Sequence, residues 1–158
     1  MAVSHVSVAV TNPEAAARAV AEIWQGSAFP FFPHAGAWIA FSSSAVATPE
    51  TQIEFYPEGS ELAPVDTDDD HEFQHNPLAS FLTPTHIAIK TLADRATVEK
   101  VAAREGWRCR LGNRGGVFDT LDVWIEDRLL VEVLTPELQG AFDAAMNAER
   151  WTQLTNGV

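Results

Sequence analysis

The sequence predicts an α+β fold: two βαβββ modules forming a curved mixed sheet around a cavity, plus a C-terminal helix. Three observations carry this. A histidine-led alternating run opens each module, His5-Val6-Ser7-Val8-Ala9-Val10 and later His86-Ile87-Ala88-Ile89-Lys90. A helix-like stretch follows each run. Each module then closes on a glutamate set among apolar residues, Ile53-Glu54-Phe55-Tyr56 and Val131-Glu132-Val133-Leu134. His5 and Glu54 lie about as far apart as His86 and Glu132, as an internal repeat requires.

Taken in order, His5 to Val10 places His5, Ser7 and Ala9 on one face and Val6, Val8 and Val10 on the other, the pattern of a half-buried strand. Asn12-Pro13-Glu14 starts a helix, with Asn12 as cap and Pro13 at the first helical position. The alanine-rich run to Trp24 is stopped by Gly26. Strands are expected over Ala37–Phe41 and Gln52–Tyr56. The segment from Phe29 to His34 is expected to be irregular because of its prolines, and to plug the core edge or line a pocket. In the second module Asp94 caps a helix over Arg95–Glu105, with Gly106 after it. Strands over Trp107–Leu111, Val117–Glu126 and Leu129–Leu134 follow, the last two turning at Asp127-Arg128. Trp38 and Trp124 fall at similar places in the two modules. A terminal helix carries Leu138, Phe142 and Met146 as an apolar stripe for docking or dimerisation. The whole chain, 1–158, is thus expected to be one domain: module one over 3–58, a linker over 59–83, module two over 84–135 and the terminal helix over 136–152.

Composition excludes several classes. A chain of 158 residues, 46% hydrophobic and 20% charged, is globular rather than disordered. Its apolar runs are too short for a transmembrane helix, and the N-terminus lacks a basic segment followed by an apolar core, so a cytoplasmic protein without membrane contact is expected. The single cysteine, Cys109, allows no internal disulfide and reads as a half-buried strand thiol. A net charge of −12 with only two lysines argues against a nucleic-acid partner. The acidic stretch from Asp66 to Glu72 lacks the central glycine and distal glutamate of a calcium loop and reads as a solvated linker. His34, His71 and His75 lie in loop-like stretches and are read as solvated residues.

Alternation sets His5 and His86 opposite the apolar positions that would pack on the helices. It sets Glu54 opposite Ile53 and Phe55, and Glu132 opposite Val131 and Val133. All four point away from the helix-facing layer. Tyr56 shares the face of Glu54, and Lys90 that of His86. Two imidazoles and two carboxylates brought to one place would make a metal site.

The paired βαβββ modules, with these four residues on their first and last strands, resemble the vicinal-oxygen-chelate superfamily over about residues 3–135. That superfamily includes glyoxalase I, bleomycin-resistance proteins, extradiol dioxygenases and methylmalonyl-CoA epimerase. The resemblance implies that His5, Glu54, His86 and Glu132 are metal ligands, a His/Glu/His/Glu set similar to that of bacterial glyoxalase I. It implies a divalent transition metal (Zn, Ni, Co, Fe or Mn) with open positions for two substrate oxygens. The implied activity is that of a lyase or isomerase moving a proton α to a carbonyl of a small-molecule substrate through a metal-bound ene-diolate. Glu132 is expected as the base, with Glu54 second. Arg114, ahead of Gly115-Gly116, resembles the basic residue that contacts the thiol cofactor in glyoxalase I, and Lys90 and Tyr56 are further candidate substrate contacts. Ala9 stands where glyoxalase I carries a basic residue that grips glutathione. Two alternatives stay open: an Fe(II) or Mn(II) extradiol-type dioxygenase, and a metal-free small-molecule binding or sequestering protein of the same fold. A homodimer is expected, its modules pairing within or between chains.

Overall fold

The structure, a computed structural model, describes residues 4–47, 50–63, 72–80 and 83–155. The chain divides into two compact units, residues 1–22 with 26–84 and residues 23–25 with 85–158. In the first, β1 (His5–Val10) leads into α1 (Pro13–Ile23), followed by β2 (Ser27–Pro30), β3 (Trp38–Phe41) and β4 (Gln52–Pro57). The sheet order is β1-β4-β3-β2, with β1 and β4 parallel and the other pairs antiparallel. A parallel pair needs a long crossover, which begins with α1. Asn12 Oδ1 caps that helix by accepting from the Ala15 amide at 3.1 Å. Val8, Val10, Ile53 and Phe55 are buried on one face of the sheet. Trp38 pairs with Phe55, and the Arg18 guanidinium lies 4.6 Å over the Trp38 ring, so α1 covers that face.

The second unit repeats the design. Its elements are β7 (His86–Lys90), α2 (Arg95–Glu105), β8 (Arg108–Arg114), β9 (Phe118–Ile125) and β10 (Leu129–Leu134), in the order β7-β10-β9-β8 with β7 and β10 parallel. Asp94 Oδ1 accepts from the Thr97 amide at 2.9 Å, and Gly106, at φ 73°, donates its N–H to the carbonyls of Ala102 and Ala103. Ile89, Val131, Val133, Leu121 and Val123 form the buried layer with Val98 and Val101 of α2. The mixed α+β fold with repeated βαβββ modules is therefore as the sequence predicts.

Five local readings are corrected. Ser27–Pro30 is a strand, since Pro30 sits at the end of an edge strand where a missing N–H breaks no ladder bond. Within the expected linker, β5 (Ser60–Ala63) pairs antiparallel with β6 (Glu72–His75). The acidic residues Asp66 to Asp70, and His71, lie outside the described residues. The β9–β10 turn is made by Glu126 and Asp127, at φ 51° and 58°, one residue earlier than expected. The terminal helix is broken into α3 (Pro136–Ala145) and α4 (Ala148–Thr155), because Asn147 Oδ1 accepts from the Arg150 amide at 3.0 Å and starts a new helix. Trp38 and Trp124 are not equivalent: Trp38 pairs with Phe55 on the helix-facing side, whereas Trp124 pairs with Leu130 on the other. No residue of α3 is fully buried, though Phe142 meets Phe118 edge-on with ring centroids 5.2 Å apart.

Gly26 does more than end a helix. The left-handed residue there is Gln25, at φ 52°. A Cβ on Gly26 would fall 1.9 Å from the Phe41 carbonyl oxygen, so the glycine lets the chain leave α1 tight against β3. We expect Gly26→Ala to destabilise the protein by at least ~2 kcal/mol in urea unfolding, because backbone rather than a flexible side chain must give way. A change within about 0.5 kcal/mol would show that this approach is not needed.

Candidate functional site

The same strand pairing fixes the same geometry twice. In β1–β4, His5 lies beside Gln52 and Ser7 beside Glu54; in β7–β10, His86 lies beside Leu130 and Ala88 beside Glu132. In-register neighbours share a face and faces alternate every residue, so each unit presents one histidine and one glutamate on the face opposite its apolar layer. In each unit the histidine sits one alternation step from the residue beside the glutamate. The histidines are exposed, while Glu54 and Glu132 are each only 8% exposed.

The two glutamates live in different surroundings. Glu54 Oε2 accepts from Ser7 Oγ at 2.8 Å and from Tyr56 Oη at 3.1 Å. Burial, then the charge and hydrogen bonding of Glu54, push the Tyr56 phenol up to about 12, so it stays a donor across the working range of pH. The Tyr56 ring stacks on Phe73 with centroids 5.1 Å apart, and meets His34 edge-on, also at 5.1 Å. His34, expected to be solvated, is thus half-buried between rings, 4.4 Å from Phe73. Beside Glu54 a small cleft of about 120 Å³ is lined by Ser7, Ala9 and Tyr56 from the sheet and by Ser60, Leu62 and Phe73 from the β5–β6 pair.

Glu132 is held by a cation. Arg114 Nη2 and Nε both donate to its Oε1, at 2.6 and 3.1 Å, and Nη2 also donates to Asp122 Oδ1 at 2.8 Å. Asp122 and Glu132 pair directly across β9 and β10, and Thr120 Oγ1 donates to Asp122 Oδ1 at 2.6 Å. The bond to Asp122, then that to Glu132, keeps the guanidinium more firmly protonated despite partial burial. Lys90 lies on the same face but is exposed and paired with Asp143 of α3, its Nζ 2.7 Å from Oδ1. Of the expected substrate contacts, then, Tyr56 lines a cleft, Arg114 faces the glutamate and Lys90 faces α3. Cys109 is half-buried in β8, and burial beside Glu99 pushes its thiol up to about 11, which leaves almost no thiolate at neutral pH.

Sequence reasoning missed Ser7, Thr120 and Asp122. The alternation of Leu121-Asp122-Val123 already sets Asp122 on the far side from the core, but only the register shows that it faces Glu132.

The donor chemistry suits a divalent cation, since imidazole and carboxylate together bind Zn, Mn, Fe, Co or Ni. Each glutamate is gripped through a single oxygen. Among the described residues no hydrogen bond reaches Glu54 Oε1 or Glu132 Oε2, which leaves lone pairs for a metal. Among the described residues no three His, Cys, Asp or Glu side chains gather into a group that could hold a metal ion. Among the described residues no helix is long and apolar enough to cross a membrane.

No protein-family model matches the chain, and no curated protein matches it by sequence. Solved structures do. The fosfomycin resistance protein FosX from Mesorhizobium loti superposes with a TM-score of 0.50 at 13% identity, over 84% of this chain and 89% of that one. A glyoxylase/bleomycin resistance protein/dioxygenase domain from Frankia sp. EAN1pec does so with a TM-score of 0.50 at 16% identity, over 84% and 95%. A mutant of FosX from Listeria monocytogenes, complexed with Mn(II) and 1S,2S-dihydroxypropylphosphonic acid, gives a TM-score of 0.50 at 12% identity, over 84% and 87%. Together with the repeated topology, these likenesses show that the chain has the fold of these FosX and glyoxylase/bleomycin resistance/dioxygenase-domain structures.

Proposed function

We propose that the chain is a divalent-metal-dependent enzyme that moves a proton α to a carbonyl of a small-molecule substrate, in the manner of a glyoxalase I-like lyase or isomerase. The repeated register carries this reading: each unit sets one histidine and one buried glutamate on the face away from its core, and each glutamate keeps an oxygen open. His5 and Glu54 are the ligands assigned to the first unit, His86 and Glu132 those assigned to the second. The Mn(II) held by the Listeria protein of this fold supports a divalent ion here. Such a metal, when bound, would polarise the substrate oxygens and make the neighbouring C–H more acidic.

The surroundings of the two glutamates favour Glu54 over Glu132 as the base. Glu132 is anchored by a guanidinium through two bonds, whereas Glu54 is held by two hydroxyls that can rotate as it moves. Ser7 and Tyr56, the two donors to Glu54, also line the cleft. Leu62 and Phe73 add apolar walls to the cleft. We assign Arg114, Lys90 and Tyr56 to substrate contacts, and a homodimer to the working form.

A second reading, a metal-free small-molecule-binding protein of the same fold, is favoured by one observation: Arg114 already neutralises Glu132. Elemental analysis of protein purified without a metal-affinity tag separates the two. We expect about one transition-metal ion per chain, lost in a His86→Ala and Glu132→Ala double variant. A parent that carries no metal and takes up none of Zn, Ni, Co, Mn or Fe supports the second reading instead. In the loaded enzyme, Glu54→Gln should slow solvent-proton exchange of a 2-oxoaldehyde hemithioacetal by about 10²–10⁴-fold, and an unchanged rate would remove Glu54 as base.

Tyr56 gives an independent check, because it is the only tyrosine in the chain. Phenolate absorbance of the folded protein should rise with a midpoint near 12, against about 10 once unfolded. In Glu54→Gln the midpoint should fall part of the way back, since burial remains when the charge is gone. Because the folded value is the higher one, this contribution to stability is complete below about pH 10 and is lost as pH rises toward 12.

A further inference from the structure

Gly112 lies inside β8 and its backbone is not left-handed, so no turn demands a glycine there. Space does. A Cβ at this position would fall 2.3 Å from Asp122 Oδ2 and 2.5 Å from Arg114 Nη1. The glycine leaves room for, and the Thr120 hydroxyl on Asp122 helps to hold, an arrangement in which one guanidinium lies between two carboxylates. Both carboxylates are at most 9% exposed, while the Arg114 side chain is 30% exposed, so water screens these charges only in part. Among the described residues, the first unit has no such device in the same frame. There Ile39 stands opposite Glu54 as Asp122 stands opposite Glu132, and the donors to Glu54 are neutral hydroxyls.

We propose that Arg114 is an internal counter-cation that occupies Glu132 until a metal arrives, and that Asp122 is the dock that retains it afterwards. The inference rests on the metal reading given above. A divalent ion on the open oxygen of Glu132 would sit beside a fixed positive charge, and like charges in a partly screened site repel. Arg114 relieves that repulsion by releasing Glu132 while keeping its bond to Asp122. The network thus lowers metal affinity in the second unit and keeps Glu132 paired when no metal is bound, which avoids an isolated buried carboxylate. Arg114 is on this account a positioning residue whose effect passes through Glu132.

Equilibrium dialysis against Mn(II) alone, with free Mn(II) read by electron paramagnetic resonance, tests this in the full chain. Arg114→Met should bind Mn(II) at least about tenfold more tightly than the parent, because the competing charge is gone, while Arg114→Lys should stay close to the parent. Asp122→Asn should move the other way, weakening Mn(II) binding, because Arg114 then has only Glu132 as a charged partner. Circular dichroism confirms the fold of each variant, and if Arg114→Met does not fold, Asp122→Asn decides alone. A parent that binds Mn(II) with an affinity unchanged in both variants overturns the role of Arg114 and leaves the metal reading standing. Absence of binding in the parent and in Arg114→Met overturns both. Tighter binding in Asp122→Asn also overturns the docking role.

Discussion

Parallel pairing between the first and last strands of each module is the constraint on which the rest of this structure depends. It aligns Val8 with Phe55 and Ile89 with Val133 in the buried layers, and by the same act aligns Ser7 with Glu54 and Ala88 with Glu132 on the opposite faces. Slipping either pair by one residue would turn a glutamate into the helix-facing layer and an apolar residue out of it. Burying an unpaired carboxylate there is costly, so the apolar layer also fixes which face carries the chemistry. Helices α1 and α2 begin the long crossovers that parallel strands need, and Asn12 and Asp94 fix where those helices start.

Within that shared frame the two units surround their glutamates differently. Glu54 accepts from the neutral hydroxyls of Ser7 and Tyr56, which line a small cleft with the Phe73 ring. Glu132 is tied to Arg114, with Asp122 and Thr120 behind it and Gly112 clearing the space. The open oxygen on each is what they keep in common.

Much of the fold could be read from local signals, and the reasons are visible residue by residue. Alternation gives β1 and β7, and the Asp94 cap and Gly106 stop give α2 to the residue, because these signals act within a few positions. Features set by partners across the sheet were harder to see. β2 was hidden by Pro30, which only an edge position tolerates. The β5–β6 pair was hidden in a polar linker, where Leu62 and Phe73 are lone apolar residues without periodicity. The apolar spacing of Leu138, Phe142 and Met146 suggested one terminal helix, and the break where Asn147 Oδ1 accepts from the Arg150 amide lay outside that signal. For the site, alternation set the faces of His5, Glu54, His86 and Glu132 correctly. It could not show that Ser7 and Tyr56 share one oxygen of Glu54, or that Arg114 reaches back to Glu132, since both depend on register.

The most direct measurement loads the protein with Mn(II) and counts coupled imidazole nitrogens by electron spin-echo envelope modulation. We expect two imidazole couplings, one lost in His5→Ala and the other in His86→Ala, which would show that each unit supplies one histidine to the metal. A spectrum without nitrogen coupling, or one that neither substitution changes, would contradict the metal centre assigned to the repeated histidine and glutamate pair.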